Sequence, residues 1–201
     1  KLRAPIVNTL LGKGGADETH PLNLGMLGMH GTAYANKALE HCDLIMSIGA
    51  RWDDRVTGKV DEFCVDAKKI HIDVDEAEFN KIIATDVCIL GDARLVLEDL
   101  IPLVDMLDTS EWLRRCSEWR KRYPLKYPRR GGLRAQLVLD RLNDITQGRA
   151  VLTTDVGQHQ MWAAQFCRTT TPRNWTTSGG AGTMGFGMPA ARAATRWTRG
   201  S

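Results

Sequence analysis

Short apolar runs alternate with amphipathic stretches along the first half of the chain. PIVNTLL (residues 5–11), CDLIMSIGA (42–50), KIHIDVD (69–75) and DVCILGD (86–92) are apolar runs bounded by turn residues, and they predict strands. Between and after them, TAYANKALEH (32–41) and the stretch from residue 93 to about 107 carry the spacing of helices. A further helix is expected from Thr109 and Ser110, either of whose hydroxyls could cap it. That helix would place Trp112, Cys116 and Trp119 on nearly one face. Prolines at 124 and 128 and the pair Gly131-Gly132 then mark a linker. Beyond it the pattern resumes as helix (133–145), strand (150–156), helix (158–166), strand (174–177) and a glycine-rich turn (178–187).

Strands alternating with helices predict an α/β fold with a doubly wound parallel sheet, followed by the start of a second α/β domain. The expected organisation is a first domain over 1–107, a helix and linker over 108–132, a second domain over 133–191 and a divergent tail over 192–201. In such sheets ligands sit outside the carboxyl ends of the strands. The residues that follow each strand are therefore the candidates for chemistry.

Composition narrows the class. The 201 residues carry a formal net charge of +3 with 25% charged positions, an ordinary balance for a globular chain. The basic cluster between Arg114 and Arg134 is diluted by Glu118 and prolines and reads as a solvated helix face and linker, not a nucleic-acid footprint. No apolar run approaches the length of a membrane span. Five scattered cysteines without a CxxC pair argue against a disulfide framework and a zinc site, and predict reduced thiols. The chain begins at Lys1, and a missing N-terminal part is the expectation.

Six segments carry candidate chemistry. LGMLGMHGT (24–32) has glycines at 25, 28 and 31; its residues fit either a close backbone approach to a ligand or a plain strand-to-helix turn. GARWDDRVTGK (49–59) concentrates Arg51, Asp53, Asp54 and Arg55 directly after an apolar strand. An arginine there suits a carboxylate or phosphate, against the alternative of a solvated ion-pair loop. HIDVDEAE (71–78) ends a strand in acidic residues of the kind that accept ribose hydroxyls, with His71 read as structural. Gly91-Asp92 repeats the strand-end pattern. TTDVGQHQMWAAQF (153–166) sets Gly157, Gln158 and His159 at a helix start, a place for a diphosphate or simply a capped helix. SGGAGTMGFGMPAA (178–191) brings its backbone close to something, either a ligand or a packed helix.

Together, ETHPLNLGMLGMHGTAYAN, GARWDDRVTGK, HIDVDEAE, Gly91-Asp92, VGQHQMWAAQF and SGGAGTMGFGMPAA resemble the acetohydroxyacid (acetolactate) synthases, in that family's order and over residues 5–191. The family decarboxylates one 2-ketoacid on thiamine diphosphate with Mg2+ and condenses it with a second; it also binds FAD. The resemblance implies that Leu27, Gly28, Met29, His30, Gly49, Ala50, Arg51, Trp52, Asp53, Asp73, Val74, Asp92 and Ala93 contact FAD. It implies that Arg55, oriented by Asp54, faces the carboxylate of the second ketoacid. Val156, Gly157, Gln158 and His159 would contact thiamine diphosphate, Gly182 would offer it a carbonyl, and Met184 would be the apolar wedge that bends it.

The resemblance also implies pyruvate and 2-ketobutyrate as substrates and a homodimer or tetramer, with a regulatory small subunit as a further partner. No nucleic-acid or membrane partner is expected, and the location is the cytoplasm, or an organelle in a eukaryote. The family's activating glutamate and its GDG…N metal-binding segment do not occur in these 201 residues. An internal fragment, inactive alone and without the Mg2+ ligands, is therefore expected. KGGAD (13–17) departs from the family's GAFP-like stretch, and the arginine-rich tail departs from its alanine- and glycine-rich helix. The alternatives are another thiamine-diphosphate enzyme of glyoxylate carboligase or pyruvate oxidase type, or a non-catalytic nucleotide-binding module.

Overall fold

The computed structural model describes residues 1–198, and side chains as far as Arg196. The last three residues of the expected divergent tail, 199–201, lie outside the described residues. In chain order the elements are β1 (Ile6–Asn8), β2 (Asn23–Met26), α1 (Ala33–Glu40), β3 (Leu44–Ile48), α2 (Asp54–Thr57), β4 (Lys68–Asp73), β5 (Val87–Leu90), α3 (Ala93–Leu103), α4 (Ser110–Arg122), α5 (Ala135–Thr146), β6 (Leu152–Thr154), α6 (Gln158–Phe166), β7 (Trp175–Thr177) and α7 (Gly187–Thr198). Every strand pairing is parallel, as the alternation of strands and helices implies, but the strands form three small sheets (β1-β2, β3-β4-β5 and β6-β7) in place of one continuous sheet in the first half.

The chain forms two compact units. The first comprises Lys1–Pro5, Leu27–Met29 and Ala33–Pro124. Its sheet runs β3-β4-β5 in strict register, from Leu44 opposite Lys68 to Ile48 opposite Ile72, and from Ile70 opposite Val87 to Asp73 opposite Leu90. Helix α1 buries Ala35, Ala38 and Leu39, the spacing of one helical face. It packs with α4, where His41 stacks on Trp119 at 5.3 Å between ring centroids.

Helix α4 buries Cys116, with Trp112 and Trp119 partly covered beside it, as the sequence spacing predicts. Its cap differs from the expected one. The Thr109 hydroxyl donates to the Arg3 carbonyl and gives no cap, while the Ser110 N–H donates to the Asp108 carboxylate at 3.0 Å. An ionised carboxylate is the stronger acceptor at a helix start, which explains the substitution of one capping group for the other. Three of the basic positions of α4 have partners within the unit. Arg114 pairs with Glu111 and Glu118, Arg115 lies over Trp112 and Trp119, and Arg120 lies over Tyr34.

The second unit comprises Ile6–Met26, His30–Thr32 and the residues from Leu125 onward. Met26, Ala163, Ala164, Cys167 and Trp175 form its core, with Leu10, Leu139 and Leu152 packed against them. Strand β2 carries no clear periodicity signal. NLGM is four residues with a glycine at φ 80°, too short and too interrupted to read as a strand from sequence.

KGGAD holds a buried ion pair. The Lys13 ammonium donates to Glu18 Oε2 at 2.6 Å and to the Cys167 carbonyl at 3.1 Å, and both side chains are almost wholly buried. Glu18 also accepts the N–H groups of Gly14 and Thr169. The pair thus fastens this loop to the end of α6. Removing one partner of such a pair leaves a buried charge uncompensated. Lys13→Ala is expected to lower stability by ~3–5 kcal/mol in urea denaturation. Lys37→Ala, which breaks an exposed pair with Glu40, should change it by less than ~0.5 kcal/mol.

Candidate cofactor and substrate sites

In the first unit the parallel register delivers three chain segments to one edge of the sheet. Gly49–Asp53 follows β3, Asp73-Val74 closes β4, and Gly91–Ala93 follows β5. Gly49 has φ 63° with open space where a Cβ would stand. Ala50 is partly buried and Arg51 is exposed. The Arg51 guanidinium pairs with Asp53 Oδ2 at 3.0 Å, while Asp53 Oδ1 is buried without a hydrogen-bond partner. Val74 is exposed beside Asp73.

Two candidates in this edge have structural employment. Trp52 is buried at φ 55°, and its indole N–H donates to His71 Nδ1 at 3.3 Å. His71 is fully buried, packed edge-on against Trp52 and Phe79, with Nε2 3.6 Å from Asp73 Oδ2. Asp92 caps α3, accepting the N–H groups of Arg94 and Leu95.

The turn Leu27–Met29 belongs to the same unit and is set against α2. Leu27 is buried and Met29 exposed. The Met29 N–H donates to the Arg55 carbonyl at 2.8 Å. A Cβ on Gly28 would stand 2.2 Å from that same oxygen, so this glycine is required by the chain's own packing. Asn36 clasps Gly28 from the other side, its amide donating to the Gly28 carbonyl and its oxygen accepting the Gly28 N–H. Arg55 itself is exposed, with its guanidinium 3.7 Å from Met29 Sδ. Among the described residues no carboxylate lies within ion-pair distance of it, although Asp53 and Asp54 precede it. His30 stands in the second unit, where its carbonyl accepts the Gln165 amide at 2.8 Å.

The second unit repeats the arrangement on a smaller scale. Strands β6 and β7 pair from Leu152 opposite Trp175 to Thr154 opposite Thr177, so residues 155–159 and 178–187 leave the same sheet edge. Val156 is partly buried; Gly157, Gln158 and His159 are exposed at the start of α6. Its N-cap residue is Gly157, which offers no side chain to the first N–H groups; the Gln160 N–H donates to the Gly157 carbonyl at 3.0 Å. The glycines of the following turn divide into two kinds. A Cβ on Gly179 would meet Leu11 at 2.7 Å, and one on Gly187 would meet the Asp155 nitrogen at 2.7 Å. Gly180, Gly182 and Gly185 face open space. Met184, between them, is 80% exposed.

Two family profiles match the chain. One described as "Thiamine pyrophosphate enzyme, central domain" matches residues 1–100, and one described as "Thiamine pyrophosphate enzyme, C-terminal TPP binding domain" matches residues 155–200. The chain belongs to the thiamine pyrophosphate enzyme family. Similar curated proteins include the acetolactate synthase large subunit of Cyanidium caldarium, 47% identical over 94% of this chain and 34% of its own length. That of Parasynechococcus marenigrum is 48% identical over 96% of the chain and 32% of its own length. Acetolactate synthase 3, chloroplastic, of Brassica napus is 44% identical over 93% and 30%. The chain spans about a third of the length of these relatives.

Two residues outside the sequence-derived candidates organise the thiamine pyrophosphate unit. Asp155 accepts the N–H of Val156 and, with both oxygens, the N–H of Gly185, each at 2.8 Å. It thereby ties the α6 entry to the glycine turn. An aspartate directly at a strand's carboxyl end was the available signal. Gln160 is buried and donates to Thr177 Oγ1 at 2.7 Å, which itself lies 2.7 Å from Thr154 Oγ1. A polar residue inside a helix reads as surface, so nothing in the spacing marks it.

These contacts generate two tests. Gly28→Ala combines a left-handed backbone, ~1–2 kcal/mol, with overpacking of ~1–3 kcal/mol. Gly49→Ala carries only the backbone strain, so denaturation should show Gly28→Ala as clearly the more damaging of the two. The second test uses pH. Hydrogen bonds from the N–H groups of Val156, Gly185 and Phe186 hold the Asp155 carboxyl below its ordinary value of 3.8. A carboxylate with a depressed folded-state value stabilises the fold above its unfolded value and loses that contribution as pH falls through the folded value. The protection of Gly185 N–H, measured against its intrinsic exchange rate at each pH, should therefore hold from neutrality down to about pH 4 and be lost as pH falls through the folded value. Asp155→Asn should show the faster exchange already at neutral pH.

Proposed function

We propose that the chain is part of the catalytic subunit of an acetolactate synthase, which condenses two 2-ketoacids with loss of CO2. The observation that carries this reading is Arg55, exposed on α2 and without a carboxylate partner among the described residues, although Asp53 and Asp54 precede it. A guanidinium free of internal pairing is suited to a substrate carboxylate, which it meets with two parallel hydrogen bonds. The relatives named acetolactate synthase supply the reaction.

On this reading residues 1–107 form the flavin domain and 133–191 the opening of the thiamine domain. The fit of FAD rests on the orphaned Asp53 Oδ1 and the open space at Gly49. Leu27, Gly28, Met29, Ala50, Arg51, Trp52, Asp73, Val74, Asp92 and Ala93 complete its contacts. The fit of thiamine diphosphate rests on the uncapped start of α6 and the open glycines of the turn. When bound, thiamine diphosphate supplies the electron sink for decarboxylation and the nucleophilic carbon for condensation. Val156, Gly157, Gln158 and His159 bind its diphosphate, Gly182 accepts from its aminopyrimidine, and Met184 shapes it. Mg2+ would be held by the family's GDG…N segment, which does not occur in these 201 residues.

The substrates are pyruvate and 2-ketobutyrate. The assembly is a homodimer or tetramer joined by a regulatory small subunit. Exposed Met184 and Met188 in the second unit suit a surface that a second copy covers. No helix among the described residues is long and apolar enough to cross a membrane. The enzyme would work in the cytoplasm, or in an organelle in a eukaryote; the Brassica napus relative is a chloroplastic protein. The 201 residues alone are not expected to turn over.

In the full-length protein, Arg55→Ala should impair use of the second ketoacid more than decarboxylation of the first. A charge-assisted contact contributes ~1.5–3 kcal/mol, so condensation should fall roughly 10- to 100-fold. Lysine should restore it only in part, because it lacks the planar fork. Loss of flavin with normal acceptor kinetics in the remaining holoenzyme would instead make Arg55 a structural residue of the flavin loop.

A further inference from the structure

Two cysteines far apart in sequence meet at one carbonyl group. Cys42, just past α1, and Cys64, before β4, each direct Sγ at the Leu39 oxygen at 3.2 Å. Both belong to the first unit. Cys64 is buried and Cys42 is half-buried, so the pair is shielded on one side and reachable on the other. Cys64 reaches this place through a left-handed backbone, φ 46°, which a non-glycine residue adopts only when its surroundings impose it.

A buried cation stands beside them. The Lys69 ammonium donates to the carbonyls of Cys64 and Ala67 at 2.7 and 2.9 Å, and among the described residues no carboxylate pairs with it. We propose that Cys42 and Cys64 are a redox-active dithiol that closes to a disulfide when it meets a low-molecular-weight disulfide such as oxidised glutathione.

The division of labour follows from their surroundings. A hydrogen bond from Cys64 holds the Cys42 thiol below its ordinary value, helped by Lys69 and opposed by burial and by Asp43. The same contact, with burial, pushes Cys64 up. Cys42, the half-buried one of the two, is the thiol a small disulfide can reach and so the attacking one, and buried Cys64 is the resolving thiol. Cys42 Sγ attacks one sulfur of the small disulfide and expels the first thiolate. Cys64 then gives up its proton, attacks Cys42 Sγ and expels the second. Two cysteine thiols and one small disulfide become one protein disulfide and two small thiols. The closed loop contains β3 and the segment Gly49–Arg55, so the bond joins the chain on either side of them.

The test maps cysteine chemistry directly and is independent of any enzymatic activity. The full chain is equilibrated with oxidised and reduced glutathione, quenched in acid, alkylated and digested without reduction. Mass spectrometry should find a Cys42–Cys64 linked peptide as the dominant disulfide, with exposed Cys88 either alkylated or carrying glutathione. Cys64→Ser should convert the product at Cys42 into a stable glutathione adduct, and Cys42→Ser should leave Cys64 alkylatable. In urea the preference for the linked peptide should vanish, since it depends on the fold. Wild-type protein in which Cys42 carries glutathione or remains alkylatable, with no linked peptide, overturns the proposal. So does a linked peptide that forms equally well in urea. If the serine variants do not fold, the wild-type maps with and without urea decide alone.

Discussion

Parallel pairing is the constraint on which both units depend. Parallel strands leave their sheet in one direction, so whatever follows each strand arrives at a shared edge. In the first unit that edge gathers Gly49–Asp53, Asp73-Val74 and Asp92-Ala93. In the second it gathers Gly157–His159 and the glycine turn. None of these groups is near its companions in sequence. Their meeting is a property of strand direction and register, and a slip of one residue would turn each out of place.

The cost of this arrangement is a set of polar groups drawn indoors. Backbone and side-chain groups at a sheet edge lose water and must be satisfied locally. Asp155 meets this need for the Val156 and Gly185 N–H groups, Asp92 for the start of α3, and Asn36 for both polar groups of Gly28. Lys13 and Lys69 show two ways to house an ammonium. The first is neutralised by Glu18, whereas the second relies on carbonyl oxygens and leaves its charge to act on neighbouring thiols.

Much of this was legible in the residues because it is local. Helix α6 spans the same residues that the spacing marks, and α1 and β3 fall within one to two residues of it. The strand ends could be named because an acidic or glycine residue directly after an apolar run has few other reasons to be there. What escaped notice depends on contacts across the chain. Asp155 and Gln160 matter through partners roughly twenty to thirty positions away. Strand β2 exists because β1 pairs with it, not because NLGM favours extension. The burial of Lys13 rests on Glu18 and Cys167, which KGGAD alone does not announce.

The contact between Gly28 and the Arg55 carbonyl makes the turn and the α2 segment a single machined fitting. With 2.2 Å between the missing Cβ and that oxygen, neither backbone can be redrawn alone. Descendants of this chain are thus confined to exchanging side chains on a fixed frame, and insertions in either segment should be filtered out together. The course of the backbone at Arg55 is inherited from a glycine distant from it in sequence.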